Sequence, residues 1–415
     1  MACSPSAAPT ADRTGPAAPT AAGLDSRRAW MIVAAGMLAN AACWGTIYSF
    51  GTFLGSMTDE FGTGLGATAL IFALPTFILF ALGLVTGPLA DQYGPRRVVL
   101  VGAAFIGTGL LVTSRAPSLP VAIAAYGIGV GVGVGCFLVP ITACLGGWFV
   151  RRRALALGLS ASGIGFGTIL LVPVVQWTIT SFGWRRAYVM LAVVCSTSLV
   201  IAAWAAIRPP HSVPAGRPSL RRIREAAGNG PFGRMYAGGL LMSAAMYIPF
   251  VFLVRYATDH GIGKSTAALL LSVLGASNIV SRLTLTSLAG RVGAVRMFLV
   301  CFLVLPVAFA LWLVAGSSYG ALACFAAMLG VAHGGYVSLS PEVTARLFGV
   351  ANIGAVLGAL WTASAIGGLI TPVLAGMLID GAGYTAAIVV GLVMATLAVV
   401  VQAGLWSVER RPVVG

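Results

Sequence analysis

The stretch VLGASNIVSRLTLTSLAG, from Val273 to Gly290, is apolar and small except for one arginine, Arg282. A guanidinium keeps its charge in a protein, and in hydrocarbon that charge is costly. Something must offset it. The chain has ten acidic residues, Asp12, Asp25, Asp59, Glu60, Asp91, Glu225, Asp259, Glu342, Asp380 and Glu409, and all fall in tails, loops or the ends of apolar runs. None can neutralise Arg282 from mid-run. The simplest remaining partner is an external anion, because a planar guanidinium grips a carboxylate through two parallel hydrogen bonds. A purely structural arginine is the competing reading. Asn278, four residues earlier on the same helical face, can donate to a carboxylate or steady the guanidinium. His333, in AHGGYVSLSPE, is the other titratable group within an apolar run besides Tyr and Cys side chains. It either carries function or simply bonds a neighbouring backbone group. Tyr336 lies three residues on, near the same face. Tyr126, and Tyr48 with Thr52, are the candidates from the first half. Any one aromatic serves equally well as packing. As a set they would form an apolar cavity with a few polar tips, suited to a small organic acid.

The elements that must position these groups are membrane helices. Hydrophobic residues make up 59% of the 415 and charged residues only 8%, where a soluble domain has roughly 25% charged. Runs of about 20 apolar residues mark spans. Twelve are found, at 29–56, 66–89, 97–114, 119–147, 154–178, 186–207, 234–257, 265–288, 294–315, 318–340, 350–378 and 384–407. The one long connection, 208–233, is Pro-rich and basic and divides the chain into two sets of six. This predicts an all-α membrane protein with a six-helix bundle at 29–207, a central loop at 208–233 and a second bundle at 234–407, between tails at 1–28 and 408–415. The first tail is rich in Ala, Pro, Ser and Thr and has the composition of disordered chain. It is not expected to be a cleaved signal peptide, since the run that follows is long enough to stay in the bilayer.

Net charge is +15, carried by arginine and a single lysine, Lys264. The basic residues sit at the ends of apolar runs and not on one strip, which argues against nucleic acid. Nineteen fall on the side of the termini and five on the other. The positive-inside rule then puts both termini and the central loop in the cytoplasm of a multi-pass plasma-membrane or inner-membrane protein. The seven cysteines are scattered singly and read as packing residues, with no metal spacing. GIGVGVGVG, Gly127–Gly135, lies inside a span with no preceding strand, so it reads as a helix-packing surface and not a phosphate loop. The halves echo each other. LADQYGPRR, Leu89–Arg97, follows span two and LAGRVGAVR, Leu288–Arg296, follows span eight, with four of nine positions identical. That supports a duplicated six-helix unit.

GPLADQYGPRR, Gly87–Arg97, resembles the loop signature of the major facilitator superfamily. Asp91 is at a helix end where it can face an arginine or another helix N-terminus, Gly94 permits a sharp turn, and Arg97 holds the loop on its side. WFVRRRALALGLSASGIGFG, Trp148–Gly167, is similar to the signature opening the fifth helix of the monocarboxylate transporter family and its relatives, the oxalate–formate antiporters. Arg151 belongs to the Arg run that anchors this helix. Gly158, Gly163 and Gly167 form a stripe for close helix contact. YSFGTFL in span one, RLFGVANIGAVLG entering span eleven and FGWRRAY before span six fit the same group. The resemblance implies the major facilitator fold with two pseudo-symmetric bundles. It implies that Gly87, Asp91, Gly94, Arg97 and Arg151 act as a conformational latch, weaker in the second half where Gly290 replaces the acid. It also implies that Arg282 in helix eight holds a substrate carboxylate and that Trp361 and Ser364 face the cavity. Many family members have an acid where Asn278 stands and a lysine near Thr52, so these departures bear on proton coupling.

The expected function is a secondary transporter that moves a small monocarboxylate, lactate- or pyruvate-like, by alternating access with proton symport. No cofactor is expected, the partners being the carboxylate, protons and the lipid bilayer, and the carrier is expected to be a monomer. Organic anion exchange of the oxalate–formate type is the alternative, though span eleven lacks the second basic residue those relatives carry. Drug or metabolite efflux is a further alternative. A receptor or an enzyme is disfavoured, since no signalling domain, metal cluster or nucleophile–base pair is evident.

Overall fold

The computed structural model describes residues 26–149, 152–207, 228, 230–349 and 353–405. The expectations for the two tails and for most of the central loop, and that for Arg151, lie outside the described residues. Within them, thirteen helices make twelve membrane-length spans. The first span is α1 (Arg27–Tyr48) plus α2 (Phe50–Phe61). Then follow α3 (Leu65–Tyr93), α4 (Pro95–Ser114), α5 (Leu119–Trp148), α6 (Arg153–Phe182) and α7 (Trp184–Ala205). The second half has α8 (Gly230–Asp259), α9 (Lys264–Val292), α10 (Ala294–Ala315), α11 (Tyr319–Phe348), α12 (Ile353–Ala382) and α13 (Tyr384–Ala403).

Most helices outrun the apolar stretches that predict them. α3 continues to Tyr93 and α11 to Phe348, because backbone hydrogen bonding carries a helix on through the polar headgroup layer after its hydrocarbon-crossing part has ended. Span one differs in kind. It is expected as one rod and is broken at Ser49. There the Ser49 hydroxyl donates to the Gly45 carbonyl at 2.5 Å and the Thr52 hydroxyl to the Ser49 carbonyl at 2.8 Å. Side-chain hydroxyls that bond the backbone of the preceding turn bend a helix, and here the bend falls one residue after Tyr48.

The two halves repeat the same turn chemistry. Gly94 joins α3 to α4 with φ 90°, and Gly293 joins α9 to α10 with φ 108°; Gly183 joins α6 to α7 with φ 87°, and Gly383 joins α12 to α13 with φ 82°. Each is a left-handed position that glycine takes without strain, at corresponding points of two six-span bundles.

Inside each bundle, backbones approach where a side chain is missing. Gly163 and Gly167 bring α6 against α1, so that a Cβ on Gly167 would lie 2.0 Å from the Ala41 carbonyl oxygen. Gly158, expected in that stripe, has nothing within 4 Å of its would-be Cβ; it is exposed, being off the α1-facing side of the helix. The glycine run of α5 works on two faces. Gly127, Gly131 and Gly135 meet α3, and Gly129 and Gly133 meet α4.

The bundles meet along α3 with α12, α6 with α9 and α2 with α8. On the side away from the termini this seam is tight. The would-be Cβ of Gly376 in α12 lies 2.5 Å from the Gly66 Cα in α3, and the Gly66 amide donates to Asp380 Oδ2 at 3.3 Å. Arg255 of α8 pairs with Asp59 of α2 at 3.6 Å.

Candidate functional site

Four helices converge beside the break in span one. α9 supplies Asn278 and Arg282 one turn apart, α11 supplies His333, α8 supplies Phe250 just after Pro249, and α1 supplies Tyr48 in its last turn. Arg282 is only 8% exposed. It faces protein and not lipid, as the cost of its charge demands. Its Nε donates to Asn278 Oδ1 at 2.8 Å. Asn278 Nδ2 lies 2.8 Å from His333 Nδ1. Arginine has donors alone, so the Asn278 oxygen must face it. The amide nitrogen is then left to face His333, whose Nδ1 must accept. His333 is therefore the Nε2–H tautomer, bonded to a side chain and not to neighbouring backbone.

Aromatic rings enclose this line of polar atoms. Tyr48 stacks on Phe250 with ring centroids 4.4 Å apart. The imidazole of His333 meets Phe250 edge-on at 5.4 Å and Tyr48 at 6.0 Å. Trp44, one turn before Tyr48, packs on it at 5.4 Å. The site thus draws on both bundles, with Trp44 and Tyr48 from the first and Phe250, Asn278, Arg282 and His333 from the second.

Two buried donors here have no hydrogen-bond partner, Arg282 Nη2 and Trp44 Nε1. The hydroxyls of Thr46, Ser49 and Thr52 are satisfied within span one. Thr46 donates to the Ala42 carbonyl, Ser49 to Gly45 and Thr52 to Ser49. The described acids lie at helix ends, where Glu60 pairs with Arg185, Asp59 and Asp259 with Arg255, and Glu342 with Arg346. Asp380 caps α3 from across the seam, and Asp91 is on the last turn of α3. No described carboxylate reaches the guanidinium. Arg282 Nη2 and Trp44 Nε1 are both N–H donors, one from each bundle, and a buried donor without a partner suits an acceptor that carries negative charge.

The other sequence candidates divide. Tyr336 and Trp361 line a cavity toward the terminal side, together with Met235, Phe298 and Ser340. Ser364 shares a hydrogen bond of 2.7 Å with Ser243 of α8. Trp361 also meets Phe80 of α3 edge-on at 5.8 Å, across the bundle seam. Tyr126 is not gathered to Arg282. Its hydroxyl donates to the Thr46 carbonyl at 3.3 Å and its ring packs on Phe50 and Tyr188. Thr52 is spent on the kink. Of the residues expected to act as a latch, Gly94 forms the α3–α4 turn, Asp91 and Arg97 are exposed beside it, and a Cβ on Gly87 would sit 3.4 Å from Val139 of α5. The neighbouring Arg96 lies 4.0 Å over the Trp204 ring.

Sequence reasoning misses Trp44, Phe250 and Ser243. The i, i+4 relation of Trp44 to Tyr48 is the one available signal for the first, and Pro249 marks the turn where α8 can bring Phe250 inward. Ser243 in its apolar run carries no signal.

Comparison with known proteins agrees with this architecture. A profile of the Major Facilitator Superfamily matches residues 33–370 and, overlapping it, 235–414. Monocarboxylate transporter 13 of Bos taurus is 31% identical over 368 residues, covering 87% of this chain and 85% of that protein. Monocarboxylate transporter 12 of Rattus norvegicus is 28% identical over 422 residues, covering 90% and 84%. The MFS transporter asaE of Aspergillus flavus is 26% identical, covering 89% and 83%. Among solved structures, a bacterial homolog of the human lysosomal transporter Spinster, inward-facing and unoccupied, matches with a TM-score of 0.73 at 14% identity, covering 91% of this chain and 96% of that one. The nucleoside transporter NupG matches at 0.72 and 11% identity, covering 93% and 100%. At those identities the structures speak to the fold alone. A twelve-span, internally repeated chain with this profile match and these relatives is a membrane transporter, and it belongs to the Major Facilitator Superfamily, within its monocarboxylate transporter family.

Proposed function

We propose that this transporter moves a small monocarboxylate by alternating access, in symport with a proton, as a monomer in the plasma or inner membrane with its termini and central loop in the cytoplasm. The observation that carries the reading is Arg282, a buried cation whose Nη2 has no partner and near which no described carboxylate lies. A carboxylate bound there takes two donors from the guanidinium. The indole N–H of Trp44 adds a donor from the opposite bundle, so the substrate touches both halves that must rock about it. The rings of Tyr48 and Phe250 give a short organic tail its apolar wall. In this reading Tyr336 and Trp361 line the path to the terminal side, and the turn at Gly94 with Asp91 and Arg97 is the latch of that side. The names of the two monocarboxylate transporters support the substrate class.

A binding screen of C2–C8 organic acids on purified wild type and on Arg282→Lys tests it. Lysine keeps the charge and loses the planar fork. Binding by the wild type with a loss of about tenfold or more in the variant supports a carboxylate held by two hydrogen bonds. Equal affinities in the two proteins would reduce Arg282 to a structural residue.

A further inference from the structure

Arg282, Asn278 and His333 form a chain in which each polar atom fixes the next. The guanidinium can only donate, so Asn278 is oriented with its oxygen to Arg282 Nε and its nitrogen to His333 Nδ1, both at 2.8 Å. While that orientation lasts, Nδ1 faces a donor and cannot hold a proton. Nη2 of the guanidinium is buried and has no partner. Nε and Nη2 point the same way and form one fork of the guanidinium, so a carboxylate seated on that fork claims Nε and displaces the Asn278 oxygen.

We propose that His333 is the proton site of the carrier, and that Asn278 couples it to the carboxylate site by turning its amide over when the substrate takes the Nε–Nη2 fork of Arg282. This rests on the monocarboxylate reading above. After the turn, Asn278 Oδ1 faces His333 Nδ1 and Nδ2 faces the carboxylate. A proton from the medium binds Nδ1 and stays there, the new Nδ1–H donates a hydrogen bond to Oδ1, and Nε2 keeps its own proton. Nδ2 donates to the carboxylate in place of the bond to His333, and the carboxylate accepts from Nε and Nη2. In the loaded arrangement Nη2 gains the acceptor that it lacks in the empty one. Charge balances too. The empty site carries the guanidinium alone. The loaded site carries guanidinium, imidazolium and carboxylate, which sum to the same single positive charge, so both crossings move equal charge.

Four helices pack around His333. α9 presents Arg282, α1 presents Tyr48, α8 presents Phe250 with Tyr247 beyond it, and α10 brings Cys301 against Gly335. Tyr336 is on α11 itself. The described acids of the packed helices, Asp259, Glu342 and Asp380, and Arg296 of α10 are at helix ends. His333 is thus the one group in this cluster whose ordinary titration falls near neutral pH.

Calorimetry of the purified transporter tests this, with the C2–C8 acids titrated near pH 7 in two buffers of different ionisation enthalpy. The dependence of apparent heat on buffer counts protons taken up per acid bound. The wild type is expected to take up close to one, and its affinity to fall by up to about tenfold per pH unit on the alkaline side. In His333→Gln, whose amide still accepts from Asn278, the count falls to near zero even where affinity also drops. Overturning results are carboxylate binding without proton uptake in the wild type, an undiminished count in His333→Gln, or a folded His333→Gln that binds no acid. The last would make the imidazole a substrate contact. If no acid binds the wild type, the monocarboxylate reading itself fails and takes the proton site with it, an outcome distinct from binding without protons.

Discussion

Trp44 carries the sharpest expectation at the scale of single residues. Its ring is buried on Tyr48 while its N–H has no partner. Trp44→Phe keeps the ring and removes the donor. If the indole serves the bound carboxylate, the substitution weakens binding by about tenfold to a hundredfold, the worth of a hydrogen bond to a charged group. Thermal stability of the empty protein should stay level, since no internal bond is lost. A calorimetric titration beside a melting curve separates the two effects. Arg282 was legible in the sequence because a charge in an apolar run is a physical contradiction that demands an answer. Asn278 followed from the helical repeat, and His333 from being titratable in the same surroundings. The same logic could not find Trp44 or Phe250. An aromatic side chain in an apolar run contradicts nothing, and only tertiary packing decides whether it faces core or substrate. Tyr126 shows the converse, since its type and span suited a pocket and the fold turned it toward Tyr188 and the Thr46 carbonyl.

At the scale of elements, hydropathy located the spans but not their breaks. Averaging over a window hides a bend, and the bend at Ser49 depends on two hydroxyls bonding backward to Gly45 and Ser49 carbonyls. The glycine pattern was better read, because an absent side chain at a regular interval has few meanings inside a membrane. Even so, only the packed structure separates Gly167, whose Cβ would meet the Ala41 carbonyl, from Gly158, which meets nothing. This yields a paired prediction. Gly167→Val forces α6 off α1 and costs at least about 1–3 kcal/mol, the range for overpacking a close contact. Gly158→Ala, by contrast, stays within about 0.5 kcal/mol of wild type. Melting of both variants in one detergent, followed by size exclusion, would contradict the packing argument if the two behaved alike.

At the scale of the molecule, the seam between bundles was the least legible feature. That α3 meets α12 and α6 meets α9 is fixed by contacts a hundred to three hundred residues apart, which no local pattern records. The internal repeat announces two bundles, and only the folded structure shows how they pair. The seam is held on the side away from the termini by groups that belong to different halves. Asp380 of α12 accepts from the Gly66 amide in the first turn of α3, where a helix N-terminus favours an anion. Arg255 of α8 reaches Asp59 of α2. Under the alternating access proposed above this side opens and both contacts break, since each spans the seam. They therefore stabilise this closed arrangement over the alternative and add nothing to it once the halves part. Asp380→Asn removes the charge from the first contact, worth about 0.3–1 kcal/mol at an exposed helix end, and shifts the ratio of closed to open by up to about fivefold toward open. Spin labels on the α2–α3 and α12–α13 turns read that ratio directly as a distance distribution. A longer-distance population that grows in Asp380→Asn is the expected result. A distribution unchanged from wild type would mean that the backbone contact of Gly66 with Gly376 holds the seam without help from the carboxylate.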